Sequence, residues 1–192
     1  MLDYAERLRK KDYEVQPISL ETARTLVSAF HYAKGGSNTA TYRHGLFKKP
    51  YFFELSCLGV AWWLPPTKAA ALATYPANWQ GVLSLSRLVI VPDTPKNACS
   101  FLLAASMKRI DRVRWPCLVT YADTWQGHVG TIYKATNWTY VGKTKPTAVW
   151  VRDGRVIARK AGARTRTKQE MLALGCVCKG RFSKHKFTHI VE

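Results

Sequence analysis

Apolar and polar positions follow one another along this chain in short blocks bounded by Pro, Gly, Asn and Asp, a rhythm of strands interrupted by a few helices. The run VLSLSRLVIV, Val82 to Val91, is the strongest strand and reads as central in a sheet. Ser84, Ser86, Leu88 and Ile90 share one of its faces, and Leu83, Leu85, Arg87 and Val89 share the other. Cys117 to Tyr121 reads as a second buried strand, with Asp123 where it should end. Glu14 to Ile18 is an edge-type strand, because Pro17 cannot donate to a central ladder. Thr39 to Phe47, a run within Tyr51 to Leu64, and Asn137 to Val141 stopping at Gly142 add further strands. Asp153-Gly154 between two apolar stretches predicts a hairpin.

Helical spacing predicts a helix from Leu20 to Tyr32, N-capped by Ser19 and ended by Gly35-Gly36. A second helix is expected over Asn97 to Arg112, and a short one around Ile132, Tyr133 and Ala135. A last one spans Thr167 to Leu174 and stops at Gly175. Residues 67–81, Ala-rich and broken by Pro76, read as an insertion with one helical turn, either a connection anchored by Trp79 or a lid. The fold class expected is α/β (α+β): one domain over residues 1–160 with a central mixed, mostly antiparallel sheet flanked by helices. A basic C-terminal extension, residues 161–192, packs on the same domain.

The content, 47% hydrophobic and 12% aromatic, is that of a folded globule. Thirty Lys+Arg against twelve Asp+Glu give a net charge of +18. Such an excess suits a polyanionic partner, since each cation that meets a phosphate releases condensed counterions. The alternative is a solvated basic surface. Lys179, Arg181, Lys184 and Lys186, interleaved with Phe182 and Phe187, suit phosphate and groove contacts. The five cysteines form no framework, and Cys57, Cys99 and Cys117 read as buried thiols. The N-terminus lacks the apolar core of a signal peptide, and no apolar run approaches the ~20 residues of a membrane helix. A reduced, cytoplasmic protein without a membrane partner is expected.

Several side chains carry candidate chemistry. An arginine within a strand needs a partner or a site; Arg87 is either the ion-pair partner of Asp123 or half of an active-site pair with it. Asp123 orients an amine, binds a metal, or serves a turn. Tyr133 protonates a leaving group, holds a substrate, or packs on the sheet. His31-Tyr32, in the last turn of the first helix, either caps and packs or takes part in a site. His128 lies between Gly127 and Gly130, a turn position near enough to be a metal ligand. Cys176-Val-Cys178 with His185 and His189 has zinc-ligand types, but at tighter spacing than the usual pair.

The stretch Gly130-Thr-Ile-Tyr133-Lys-Ala-Thr-Asn137-Trp138 resembles the closing element of the GNAT acyltransferase fold. The fuller order, His31-Tyr32, Ser86-Arg87, Asp123 and Tyr133, resembles the Mom family of phage DNA-modification proteins, over residues 14 to 160. That resemblance implies a GNAT-like domain that converts adenine in double-stranded DNA to an N6-acetamido (carbamoylmethyl) derivative and so protects DNA from restriction. It places Tyr32, Arg87, Asp123 and Tyr133 in catalysis and His31, Ser86 and His128 on the substrate. Iron is associated with the family, with His31 and Asp123 the first ligands to consider. The acyl donor it implies is acetyl-CoA or an aminoacyl-tRNA, with double-stranded DNA, tRNA and a second copy of the chain as partners. One departure stands out. The turn VPDTPKNACS lacks the glycines of the GNAT pyrophosphate loop and contains two prolines without N–H groups. The alternatives are an acetyl-CoA-dependent N-acyltransferase and a non-catalytic nucleic-acid-binding protein on the same scaffold.

Overall fold

The computed structural model describes residues 7–32, 39–50, 56–161 and 164–191. Gly35-Gly36 and the Tyr51 end of a predicted strand lie outside them. In chain order the elements are β1 (Tyr13–Pro17), α1 (Leu20–Phe30), β2 (Tyr42–Lys48), β3 (Gly59–Leu64), α2 (Lys68–Leu72), β4 (Val82–Ile90), α3 (Ala98–Met107) and β5 (Cys117–Asp123). There follow α4 (Thr131–Lys134), β6 (Thr139–Lys143), β7 (Thr147–Arg152), β8 (Arg155–Val156), β9 (Lys160–Ala161), β10 (Arg164–Thr165), α5 (Lys168–Ala173), β11 (Val177–Phe182) and β12 (Lys184–Ile190). Two compact units result: residues 1–120, 131–140 and 187–192 form one, and 121–130 with 141–186 form the other.

The first unit is built on a seven-stranded sheet of order β1-β2-β3-β4-β5-β12-β6. β1 to β4 pair antiparallel in sequence order, and β4 pairs parallel with β5, so the sheet is mixed. β4 is central, as its unbroken apolar run predicts. The close β3–β4 approach depends on Gly59: a Cβ there would stand 2.6 Å from the Val89 carbonyl oxygen. α1 begins where expected, with Ser19 Oγ accepting from the Thr22 N–H at 3.1 Å. It buries Ala23 and Val27 against Ile18, Phe47, Val60 and Trp62. Burial of Val27 alone is worth about 1.5–3 kcal/mol. The helix ends at Phe30 rather than Tyr32, with extended backbone at His31.

α3 buries Leu102, Leu103, Ser106 and Met107. It stops short of the predicted Arg112: past Met107 the backbone tightens to i→i−3 bonds, with the Arg109 N–H on the Ser106 carbonyl at 3.0 Å and the Ile110 N–H on the Met107 carbonyl at 3.3 Å, and Asp111 Oδ1 then accepts from the N–H groups of Val113 and Arg114 in a following turn, at 3.0 and 3.1 Å. Beneath α3, the Ser106 hydroxyl lies 2.7 Å from His44 Nδ1 and accepts from Trp63 Nε1 at 2.8 Å. All three residues are buried.

The second unit holds a three-stranded sheet of order β11-β7-β8 and the β9–β10 pair. The Asp153-Gly154 hairpin joins β7 to β8, as predicted. α5 carries a full capping box between Thr167 and Glu170 and ends at Gly175, whose φ is +73°. Its core is Trp150, Met171 and Cys176. Thirteen Lys/Arg against three Asp/Glu give this unit a net charge of +10, more than half of the whole.

The C-terminal segment departs from the reading of its aromatics as groove-contacting side chains. Residues 184–190 form β12 inside the seven-stranded sheet. Phe187 is fully buried, and Phe182 packs edge-on against Trp125 at 4.9 Å between ring centres. Alternating lysines obscure the strand in the sequence, because they flank an inward-facing Phe187 and Thr188 rather than marking a solvated tail.

Candidate active site

The parallel ladder between β4 and β5 covers only Val82–Ser84 against Cys117–Val119. β4 continues to Ile90 in pairing with β3, so the two parallel strands part beyond Ser84 and Val119. A β-bulge lies just past this point. Trp62 pairs with Arg87 and Trp63 with Leu85, which leaves Ser86 as the extra residue. The bulge turns Ser86 and Arg87 out of simple alternation at the place where the sheet opens. Arg87 Nη1 donates to the Ser86 carbonyl at 2.7 Å and to Ser86 Oγ at 3.2 Å. Burial pulls the Arg87 guanidinium below the usual arginine value, and the neighbouring Tyr32 opposes that shift. Tyr32 is half-exposed and stacks on His31, with ring centres 4.4 Å apart. Thus Tyr32, Ser86 and Arg87 come together, with His31 backing the tyrosine.

Across the opening, Thr120 is the first residue of β5 beyond the paired stretch and is buried. Its side chain hydrogen-bonds Tyr133 of α4. Burial pushes the Tyr133 phenol above the ordinary tyrosine value; the Thr120 hydrogen bond lowers it, and the Cys99 thiol adds to the rise. Burial also pushes the Cys99 thiol up to about 11, so it stays protonated and unreactive at neutral pH. Trp138 and Phe187 hold the Tyr133 ring at 5.8 and 5.2 Å between centres. The arrangement is a neutral phenol, fixed by packing, with its hydroxyl at the edge of the opened sheet. Thr120 went unnoticed in the sequence, where one threonine in an apolar run looks like ordinary strand filler.

In the second unit, Asp123 uses both carboxylate oxygens. Oδ1 accepts from the Trp125 N–H at 3.1 Å, capping a short 3-10 turn, and Oδ2 pairs with Lys184 Nζ at 3.1 Å. His128 is exposed, and its N–H donates to the Asp123 carbonyl at 3.1 Å. Lys184, expected to contact phosphate, is half-exposed and also pairs with Asp123. Lys179 and Arg181 are exposed on β11, while Lys186 is half-buried. Arg181 Nη2 donates to the Pro146 carbonyl at 2.8 Å.

Iron finds no fitting ligand set among the described residues. Among the described residues, no group of three His, Cys, Asp or Glu is placed to hold a metal ion. The same observation applies to Cys176, Cys178, His185 and His189; Cys176 is buried in the core of the second unit.

The profile of the Mom protein family matches residues 12–190. The methylcarbamoylase Mom of Escherichia phage Mu is 27% identical over 143 residues. That alignment covers 71% of this chain and 56% of the phage protein, so the chain matches about half the length of its curated relative. Among solved structures, an N-acetyltransferase from Staphylococcus aureus Mu50 superposes with a TM-score of 0.55 at 11% identity, over 94% of this chain and 99% of that one. The ribosomal-protein-S18-alanine N-acetyltransferase of Escherichia coli superposes with a TM-score of 0.53 at 9% identity, over 94% of each chain. The fold is that of the GNAT acetyltransferases. No helix among the described residues is long and apolar enough to cross a membrane.

Proposed function

The chain belongs to the Mom protein family, and from that premise we propose that it is a phage DNA-modifying transferase acting on adenine in double-stranded DNA. The product is the N6-acetamido (carbamoylmethyl) base, and its effect is protection from restriction. One observation carries this reading: a GNAT fold stands in the same chain as a small unit of net charge +10. Modification of a small amine does not require such a charge, whereas a duplex does.

The residues take distinct parts. Cations of the second unit, Lys179 and Arg181 foremost, meet the phosphate backbone. The target adenine leaves the stack, because its N6 lies beyond reach inside the duplex. Tyr32, half-exposed beside Arg87, offers a ring for the extruded base. Tyr133, a phenol that is neutral at physiological pH with or without burial, supplies a proton at its hydroxyl, and the Thr120 hydrogen bond fixes that hydroxyl and offsets part of the rise that burial causes. Asp123, aligned by Lys184 and the Trp125 N–H, orients the amine. His31, Ser86 and His128 complete the substrate contacts.

The test is restriction challenge of plasmid DNA from cells expressing the protein. Resistance that disappears with Asp123→Ala or Tyr133→Ala, while both variants still bind duplex, supports the reading. DNA cut as readily with the wild-type protein as without it refutes it. Acetyl-CoA-dependent transfer to a protein or small amine is the second reading, favoured by the fold. Calorimetry with acetyl-CoA separates the two.

A further inference from the structure

We propose that Ser106 is a positioning residue for the Tyr133 phenol, acting through the rings of Trp63 and Trp138. The inference rests on the reading of Tyr133 as the proton donor. Ser106 is the polar residue on the inward side of α3, which otherwise buries Ala98, Leu102, Leu103 and Met107. A hydroxyl in that place must find partners, since a buried polar group left unpaired is costly. Trp63 Nε1 donates to Ser106 Oγ at 2.8 Å, and His44 Nδ1 lies 2.7 Å from the same oxygen. One hydroxyl hydrogen serves both contacts when Oγ accepts from the indole and donates to Nδ1 of a neutral imidazole.

The Trp63 ring is thus held at its nitrogen as well as by packing. Trp138 has no such anchor: its Nε1 is buried and makes no hydrogen bond among the described residues. The rings around Trp138 orient it instead. Trp63 stacks on it with planes 13° apart and centres 6.3 Å apart, His189 meets it edge-on at 6.0 Å, and Tyr133 lies 5.8 Å away at 59°. His189 also keeps a buried Nδ1 without a partner among the described residues, so Trp63 is the neighbour that brings a fixed orientation from outside. Trp138 hands this constraint on in two ways. Its ring packs on the phenol, and its backbone N–H donates to the Tyr133 carbonyl at 3.0 Å. A swing of the Trp63 ring therefore tilts Trp138 and shifts the turn that carries Tyr133, where the Thr120 bond holds only the hydroxyl. Misplacing a reacting group by about 1 Å can cost on the order of a hundredfold in rate.

The test uses the full chain labelled with 3-fluorotyrosine, with the Tyr133 fluorine resonance assigned from Tyr133→Phe. Ser106→Ala should shift or broaden that resonance and leave in place that of Tyr13, which is buried on β1. Ser106→Thr, which keeps the hydroxyl, should restore it. Trp63→Phe removes the indole N–H and should displace the resonance as well. Ser106→Ala added to Trp63→Phe should displace it no further, because the two residues act in one line. In cells, Ser106→Ala should lower the yield of modified adenine about tenfold with duplex binding unchanged. An unmoved Tyr133 resonance in Ser106→Ala overturns the proposal. So does displacement of the Tyr13 resonance along with it, which marks a general loosening of the fold. A displaced resonance with full modification also overturns it, since the reaction then does not need the phenol held this way. Unmodified DNA from cells with the wild-type protein refutes the DNA-modification reading by itself, and the resonance still decides whether Ser106 holds the phenol.

Discussion

Protonation of His44 should destabilise the first unit from within. The imidazole is 3% exposed, shares a hydrogen with Ser106 Oγ at 2.7 Å, and lies in the field of Arg109. Burial first, and Arg109 second, lower its pKa from 6.5 to about 4. The folded state therefore holds the neutral ring while the unfolded chain takes up a proton on acidification. The stability tied to His44 is intact above its unfolded value and is lost as pH falls towards its folded value. Linkage over that gap gives about 2 kcal/mol lost between about pH 7.5 and pH 5, and about 3 kcal/mol once both states are protonated. Urea unfolding followed by tryptophan fluorescence measures the loss, since the buried Trp62 and Trp63 report on this sheet. His44→Gln is the comparison. Its absolute stability will differ, but its decline over the same pH interval should be smaller by about 2 kcal/mol. Parallel declines in the two proteins would show that the imidazole is not held neutral and would refute the reasoning.

Other expectations follow from the same geometry. Phe187→Ala removes a fully buried ring from β12 and should cost about 3–5 kcal/mol in chemical unfolding; a solvated tail would lose almost nothing. Tyr133→Phe leaves the buried Thr120 hydroxyl without that partner, so stability should drop by about 1 kcal/mol while modification falls far more. Equal activity in this variant would remove the phenol from the chemistry. Lys179→Ala/Arg181→Ala should weaken duplex binding and reduce the slope of log affinity against log salt by about 2. An unchanged slope would place the phosphate contacts elsewhere.

What the sequence made legible was local. Ser19, the Thr167–Glu170 box, Asp153-Gly154 and the VLSLSRLVIV run each carry their structural meaning within a few residues. The Asn97–Arg112 reading overextends the helix because the backbone tightens into i→i−3 bonds at Arg109 and Ile110, a change that the spacing of apolar residues does not register. Long-range features escaped. The bulge at Ser86 arises from register against Trp62 and Trp63, and β12 acquires its place only by joining a strand far earlier in the chain. The pairing of Lys184 with Asp123 is not legible, because the two are distant in sequence. Of the candidate site, the residue types were readable and their neighbours were not: Thr120 beside Tyr133, and Tyr32 beside Arg87, emerge only from the fold.

The central claim is that this chain alters adenine in DNA. Nucleoside mass spectrometry of plasmid DNA from cells expressing the protein, beside an Asp123→Ala control, addresses it directly. The account predicts a new deoxyadenosine species with the mass of the N6-acetamido derivative, absent from the control. Unmodified deoxyadenosine, recovered from cells that hold folded, duplex-binding protein, would contradict it.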